Sequence, residues 1–332
     1  EAKRAELELL GKQQDLERLR ESLATDQKAL SGLEAHKASL EREIERIQGQ
    51  MPGKGPVEPH KAYKDLLEQK AACFKADEFT SAKSTGDEYQ SLQQFKNELR
   101  ESELYFPSRV IDAFHTSLKC QSVNPLTVLA GVSGTGKTLL PVKYAEHMGL
   151  HSLVIPVQPR WDSPQDLFGF YNYLEKEYSA TELSRALVRM DPYNYDPEEF
   201  PDLDYDWPRK RLLMVLLDEM NLARTEYYFS EFLSKLELRR LVENPATPAN
   251  REKAEIELDT GPGSNRSFRI WVPENVLFVG TMNEDETTQT LSDKVLDRSN
   301  VLRFGKPDER RKHTDTGRQE DVASAYHTNE KK

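Results

Sequence analysis

Eight consecutive residues, Gly131 to Thr138, have the composition and spacing of a loop that binds phosphate groups. They fit the pattern G-x-x-x-x-G-K-[ST] at every fixed position. An apolar run at 126–130 precedes the loop, and a stretch compatible with a helix at 139–148 follows it. In this strand–loop–helix context, backbone N–H groups and the helix N-terminus attract phosphate. The residues expected to bind nucleotide are Gly131, Val132, Ser133, Gly134, Thr135, Gly136, Lys137, Thr138 and Leu139.

A magnesium–triphosphate needs a cation and oxygen ligands, and this region offers both. Lys137 is expected to reach the β- and γ-phosphates, and the Thr138 hydroxyl is expected to ligate Mg²⁺. A second apolar run, 212–217, ends at Asp218 and Glu219. This strand would bring Asp218 to the metal beside Thr138. Glu219 would then act on the water that attacks the γ-phosphate, as general base or orienting group. The alternative is an ordinary Asp-Glu pair at a helix N-cap.

Two further polar residues follow the apolar run at 276–279. Asn283 is expected to hold the attacking water or the γ-phosphate, although an asparagine that closes a strand is ordinarily a turn residue. Arg298 could reach the nucleotide of a neighbouring subunit and stabilise transition-state charge there. The alternative for Arg298 is a surface arginine paired with Asp293 or Asp297. The candidate catalytic residues are therefore Glu219, Asn283 and Arg298.

The order of phosphate loop, Asp-Glu strand, Asn-ended strand and Asp-Arg resembles AAA+ ATPases over about residues 105–305. Finer features resemble the McrB branch, the GTPase motors of modification-dependent restriction systems. These features are LAGVSGTGKT at 129–138, VQPRW at 157–161, LFGFY at 167–171, LDEMNLAR at 217–224, GTMN at 280–283 and DRS at 297–299. By this resemblance, Asn283 is similar to the sensor asparagine and Arg298 to the arginine finger.

The resemblance also implies partners and a substrate class. It implies a homo-oligomeric, hexameric ring, a separate nuclease subunit, and DNA or RNA as a further candidate partner. Mg²⁺ is the expected cofactor, and ATP and GTP both stay open as the substrate. The related MoxR-type chaperone ATPases share much of this core, so remodelling of protein partners is the alternative function.

Two features depart from the McrB pattern. In McrB the Met-Asn pair runs almost directly into Asp-Arg-Ser, whereas residues 284–296 intervene in this chain. The family also continues into a helical lid, but residues 305–332 are strongly polar and have little apolar periodicity. The sequence therefore predicts a lid that is missing or interrupted.

From residue 120 onward, apolar runs alternate with helical segments. The runs lie at 126–130, 152–157, 212–217 and 276–279. Such alternation is typical of a parallel sheet covered by helices on both faces. The predicted fold class is α/β, a P-loop NTPase (AAA+) core preceded by a long coiled-coil helix. Residues 255–258 and 268–273 predict an inserted hairpin, in which Arg266 and Arg269 could touch nucleic acid or a partner.

The first 48 residues carry a heptad pattern in which nine of fourteen seam positions are Leu or Ile. This pattern predicts a coiled coil, and pairing within or between chains stays open. Three prolines and two glycines then indicate a linker. The predicted organisation is coiled coil 1–50, linker 51–59, helical connector 60–104, nucleotide-hydrolysing core 105–305, and polar tail or incomplete lid 306–332.

The composition bears on the partners and the location of the protein. The 332 residues carry a net charge of −11, which argues against a broadly basic nucleic-acid surface. No apolar run approaches the roughly 20 residues that span a bilayer, so no membrane partner is expected. The two cysteines, Cys73 and Cys120, do not form a disulfide framework. A reducing, cytoplasmic location is the prediction.

Overall fold

The computed structural model describes residues 64–74, 87–194, 210–259, 268–284 and 290–305. The chain divides into two compact units, Glu1–Glu58 and Pro59–Lys332, and every described residue belongs to the second. The predicted coiled coil at 1–50, the linker at 51–59, the polar tail at 306–332 and Arg266 lie outside the described residues. These assignments stay predictions.

The described residues form ten α-helices, nine strands and two short 3₁₀ turns, Pro192–Asn194 and Met220–Leu222. The helices are α1 Lys64–Glu68, α2 Glu88–Glu101, α3 Ser108–Lys119, α4 Leu139–Met148, α5 Pro164–Phe168, α6 Glu182–Met190, α7 Thr225–Tyr228, α8 Ser230–Arg239, α9 Pro248–Arg251 and α10 Asp293–Leu296. The strands are β1 Leu126–Gly131, β2 His151–Pro156, β3 Gly169–Asn172, β4 Glu177–Ala180, β5 Leu213–Asp218, β6 Ile256–Leu258, β7 Phe268–Ile270, β8 Val276–Asn283 and β9 Ser299–Phe304.

Five strands form one parallel sheet in the order β2-β5-β8-β1-β9. Strand β1 lies between β8 and β9, so the chain changes direction across the sheet at the strand that leads into the phosphate loop. Alternate residues of each central strand pack into two different cores, one on each face. Helices cover both faces, because parallel strands require crossover connections. The predicted α/β class is confirmed.

Helices α2, α3 and α4 cover one face of the sheet, and α2 comes from the predicted connector. Phe95 of α2 lies at the centre of this layer, with its ring 5.5 Å from the ring of Tyr144. Two histidines join α2 to its neighbours. His147 of α4 bonds to Glu98 at 2.6 Å, and His115 of α3 bonds to Glu88 at 2.7 Å. The helix that carries the phosphate loop is thus packed against the upstream segment.

Strand β8 ends at Asn283, as the sequence indicates. Two details of the fold differ from the sequence prediction. Strands β3 and β4 form an antiparallel hairpin that the sequence did not predict. Strands β6 and β7 pair as the predicted hairpin, with shorter arms. Within the described ranges, no helix combines the length and apolar character that a bilayer crossing requires.

Gln121 fixes the start of β8, the strand that ends at the candidate site. Its side chain is buried, donates to the carbonyl of Phe278 at 2.8 Å and accepts from the Phe278 N–H at 2.9 Å. Phe278 is also the residue that pairs with Leu126, so the Gln121 amide contacts β8 where the ladder with β1 begins. A buried amide that satisfies both backbone groups holds the strand in register.

We predict that Gln121→Ala lowers the free energy of unfolding by about 2–3 kcal/mol, because two buried hydrogen bonds are lost. For a domain of this size the melting temperature should fall by about 4–12 °C, measured by calorimetry. Ser122→Ala, at the exposed neighbouring position, is the control and should melt like the wild type. Equal melting of both variants would contradict the role of Gln121.

Candidate nucleotide site

The carboxyl ends of β1, β5 and β8 meet at one edge of the sheet. Gly131 lies opposite Asn283, and Leu217 lies opposite Gly280, which places Asp218 beside Thr281. In open parallel sheets, ligands bind outside this edge, where the strand order reverses. The structure thus brings the phosphate loop, Asp218, Glu219 and Asn283 together from positions up to 152 residues apart in the sequence.

The phosphate loop follows β1 and leads directly into α4. Gly134 and Gly136 have positive φ angles of 79° and 83°, a conformation that side chains disfavour. The ring of Phe106 packs so closely on Gly136 that an added Cβ would lie 2.8 Å from it. The Lys137 ammonium is buried and donates to the carbonyls of Gly131 at 3.0 Å and Val132 at 2.7 Å. A positive charge therefore lies within the loop.

Asp218 connects the loop to the middle of the sheet. The Thr138 hydroxyl donates to Asp218 Oδ1 at 2.7 Å, across 80 residues of sequence. A hydroxyl and a carboxylate at this distance are the oxygen ligands that Mg²⁺ accepts, together with water and substrate phosphates. Among the described residues, no three or more His, Cys, Asp or Glu side chains are grouped so that they could hold a metal ion by themselves. The pair therefore fits a metal that is held jointly with phosphates, rather than a cage made of protein alone.

Glu219 has a strained backbone. Its φ of 53° and ψ of 46° lie in the left-handed region, which costs a non-glycine residue about 1–3 kcal/mol. Strand β5 ends at Asp218, and the chain turns sharply into the 3₁₀ turn that begins at Met220. The Asn283 amide donates to Glu219 Oε1 at 2.8 Å. The turn thus points the carboxylate at the candidate sensor residue instead of along the strand.

The structure adds residues to the site that the sequence interpretation missed. The buried Asn221 donates to the Asn283 carbonyl at 2.9 Å and accepts from its N–H at 3.2 Å, so it holds the end of β8. The buried Thr281 bonds both to Asp218 and to the backbone of Glu219. In the sequence, Thr281 could have been recognised as a polar residue inside an apolar strand. Asn221 could have been recognised by its position two residues after Glu219.

Trp161, from one of the segments that resemble the McrB branch, packs behind the Glu219 turn through Tyr228. Trp161 lies edge-on to Tyr228, with ring centroids 5.3 Å apart. The Tyr228 hydroxyl donates to the carbonyl of Met220 at 2.8 Å. Met220 itself packs on Gly280, where any Cβ would overlap its sulfur. A glycine in β8 therefore makes room for the residue that follows Glu219.

Arg298 does not join the other site residues. It precedes Ser299, which pairs with Leu126 at the start of β1, so Arg298 lies at the amino edge of the sheet. The six residues of β9 separate that edge from the phosphate loop by about 17 Å at ~3.3 Å per residue. The guanidinium bonds to Ser234 at 3.0 Å and to Glu237 at 3.2 Å. Its acidic partner is thus Glu237 of α8, which the sequence interpretation did not name.

Comparisons with known proteins show what this chain is similar to. A search of curated proteins finds no match. Among 185 matching chains of solved structures is a "putative ATPase" from Cytophaga hutchinsonii ATCC 33406. It is 18% identical, with a TM-score of 0.29, and the match covers 65% of this chain and 54% of that one. This chain therefore spans about half the length of that protein.

The sequence model described as "AAA domain (dynein-related subfamily)" matches residues 127–299. This range contains the phosphate loop, Asp218, Glu219, Asn283 and Arg298, and it covers just over half of the chain. The chain therefore belongs to the AAA domain family, dynein-related subfamily.

Proposed function

We propose that this protein hydrolyses a nucleoside triphosphate, ATP or GTP, with Mg²⁺. The hydrogen bond between Thr138 and Asp218 carries the proposal, because it joins the phosphate loop to the carboxylate strand at the point where a metal–triphosphate would lie. Family membership supports the same reaction. ATP and GTP are both candidate substrates, and each is included in the test below.

Each residue of the site has a defined task in this proposal. The loop amides and the Lys137 ammonium bind the β- and γ-phosphates, and Lys137 exchanges its two carbonyl acceptors for phosphate oxygens. Thr138 and Asp218 would hold Mg²⁺, which supplies charge neutralisation on the phosphates when it is bound. Glu219 orients the attacking water or accepts its proton, and Asn283 holds the Glu219 carboxylate in place.

Glu219→Gln tests the reaction directly. Glutamine keeps the oxygen that accepts from Asn283 but cannot accept a proton from water. We expect ATP and GTP affinities to change by less than about threefold, while turnover of the preferred nucleotide falls at least ~100-fold. The measurements are nucleotide binding by calorimetry and phosphate release with each nucleotide.

The matched control is Glu231→Gln on the exposed surface of α8, which should hydrolyse at the wild-type rate. Wild-type turnover in Glu219→Gln would refute the role of Glu219. A wild-type protein that releases no phosphate from either nucleotide would refute the proposed function as a whole.

We also propose that the active form is a homo-oligomeric ring in which Arg298 serves the neighbouring subunit. The position of Arg298 at the amino edge supports this, since about 17 Å of sheet separates it from the loop of its own chain. Its pairing with Ser234 and Glu237 gives the guanidinium a fixed place on the surface of the subunit. An arginine that acts in trans stabilises charge in the transition state of the adjacent site.

Mixing two inactive variants tests action in trans. Lys137→Ala should lose nucleotide binding, and Arg298→Ala should bind nucleotide but turn over at least ~100-fold more slowly. In mixed assemblies, a Lys137→Ala subunit can supply Arg298 to an Arg298→Ala site. An equimolar mixture should therefore recover up to about a quarter of the wild-type rate if the subunits exchange randomly. A mixture no more active than the average of its components would contradict action between subunits.

We propose, from the resemblance of its motifs, that the protein is a McrB-like motor that acts on DNA or RNA with a separate nuclease subunit. One observation favours the alternative, a MoxR-like chaperone that remodels protein partners. The β3–β4 hairpin exposes Phe170, Tyr173 and Leu174, and its turn and following residue carry two carboxylates and one ammonium, Glu175, Glu177 and Lys176. Apolar side chains beside carboxylates suit a protein segment better than a phosphate backbone. Arg269, on the other hairpin, is already paired with Glu252 at 2.9 Å.

Stimulation of hydrolysis separates the two functions. A motor on nucleic acid should release phosphate several-fold faster with single-stranded DNA, duplex DNA or RNA, and the effect should weaken as salt is raised. The measurement is phosphate release at two salt concentrations, with an unfolded polypeptide as the parallel addition. Stimulation by the polypeptide alone would contradict the motor and support the chaperone.

A further inference from the structure

Thr281 places a hydroxyl group in the interior of the central strand of the sheet. The residue is 1% exposed and lies on β8, whose other members from Val276 to Val279 are apolar. A buried hydroxyl without hydrogen bonds would lower stability, so this one needs partners. The identity of the partners indicates which part of the protein the hydroxyl acts on. Both partners belong to the residues that the proposed reaction needs.

The hydroxyl of Thr281 has one proton to donate, and its two neighbours show which of them receives it. The oxygen lies 2.7 Å from Asp218 Oδ1, an acceptor, so the proton points there. The Glu219 N–H lies 2.8 Å from the same oxygen and donates to it. Thr281 therefore donates to the candidate metal ligand and accepts from the candidate water-orienting residue at the same time.

These two bonds act at a turn whose backbone conformation is unfavourable for a residue with a side chain. Asp218 ends β5, and Glu219 adopts the left-handed conformation immediately after it. The bond from the Glu219 N–H holds this turn, while the bond to Asp218 fixes the carboxylate against the Thr138 hydroxyl. A displacement of about 1 Å in a catalytic group can reduce a rate by roughly 100-fold.

We propose that Thr281 is a positioning residue that sets Asp218 and Glu219 relative to each other. The inference rests on the proposed hydrolysis and assigns to it a residue beyond the motif positions. Thr281 does not touch the substrate in this account. It acts through Asp218 and Glu219, so its loss should slow turnover more than it weakens nucleotide binding.

Two pairs of proteins isolate the hydroxyl. Wild type and Thr281→Val have side chains of nearly equal shape, and Thr281→Ser and Thr281→Ala both lack the γ-methyl group. In each pair, the protein without the hydroxyl should have a kcat at least ~10-fold lower, with a KM for the nucleotide within about threefold. The serine variant should regain most of the wild-type kcat. If the valine variant does not fold, the serine–alanine pair decides the question.

Thr127→Val is the matched control. Thr127 is a fully buried threonine on the adjacent strand β1, and its hydroxyl bonds to Ser117 at 3.3 Å, away from the site. This control should keep the wild-type kcat. Equal kcat values within both Thr281 pairs, in a wild type that hydrolyses nucleotide, would overturn the inference and leave the proposed function standing. A wild type without hydrolysis would overturn the function first.

Discussion

The candidate site depends on one carboxylate oxygen, Asp218 Oδ1, which accepts hydrogen bonds from Thr138 and Thr281. Thr138 lies beyond the end of β1, Asp218 ends β5, and Thr281 belongs to β8. These two bonds therefore tie together three strands at the edge where the phosphate loop begins. Both donors are hydroxyl groups, and a carboxylate oxygen that accepts from them is also of the type that ligates a divalent cation. Because β8 lies between β5 and β1 in the sheet, the ends of all three strands are close enough for these bonds to form.

The local parts of the site were predictable from the sequence because each is a contiguous motif. The loop at Gly131–Thr138, the carboxylates at the end of an apolar run and the terminal Asn283 each follow from the residues themselves. Thr281 and Asn221 were missed because their roles depend on the register between parallel strands, which no local pattern encodes. Similarly, the pairing of Arg298 with Glu237 depends on α8, a helix some sixty residues earlier in the chain.

The fold shows the same division between local and long-range information. The alternation of apolar runs and helices predicted the parallel sheet and its two helical layers. Strand β8 ends at Asn283 as predicted, although glycine usually weakens a strand. Here Gly280 gives space to Met220, so the strand continues to Asn283. The β3–β4 hairpin was missed because its arms have four residues each. Its first residue, Gly169, lies so close to the Ser179 carbonyl that a Cβ would overlap it.

The left-handed backbone at Glu219 has a consequence for any attempt to evolve this protein. Glycine adopts that conformation without the steric cost that a glutamate bears, so backbone energy alone favours glycine at position 219. Selection for heat resistance without selection for turnover would therefore enrich glycine there and discard the carboxylate. Glycine at position 219 would thus relieve the backbone and remove the side chain to which the proposed hydrolysis assigns the attacking water.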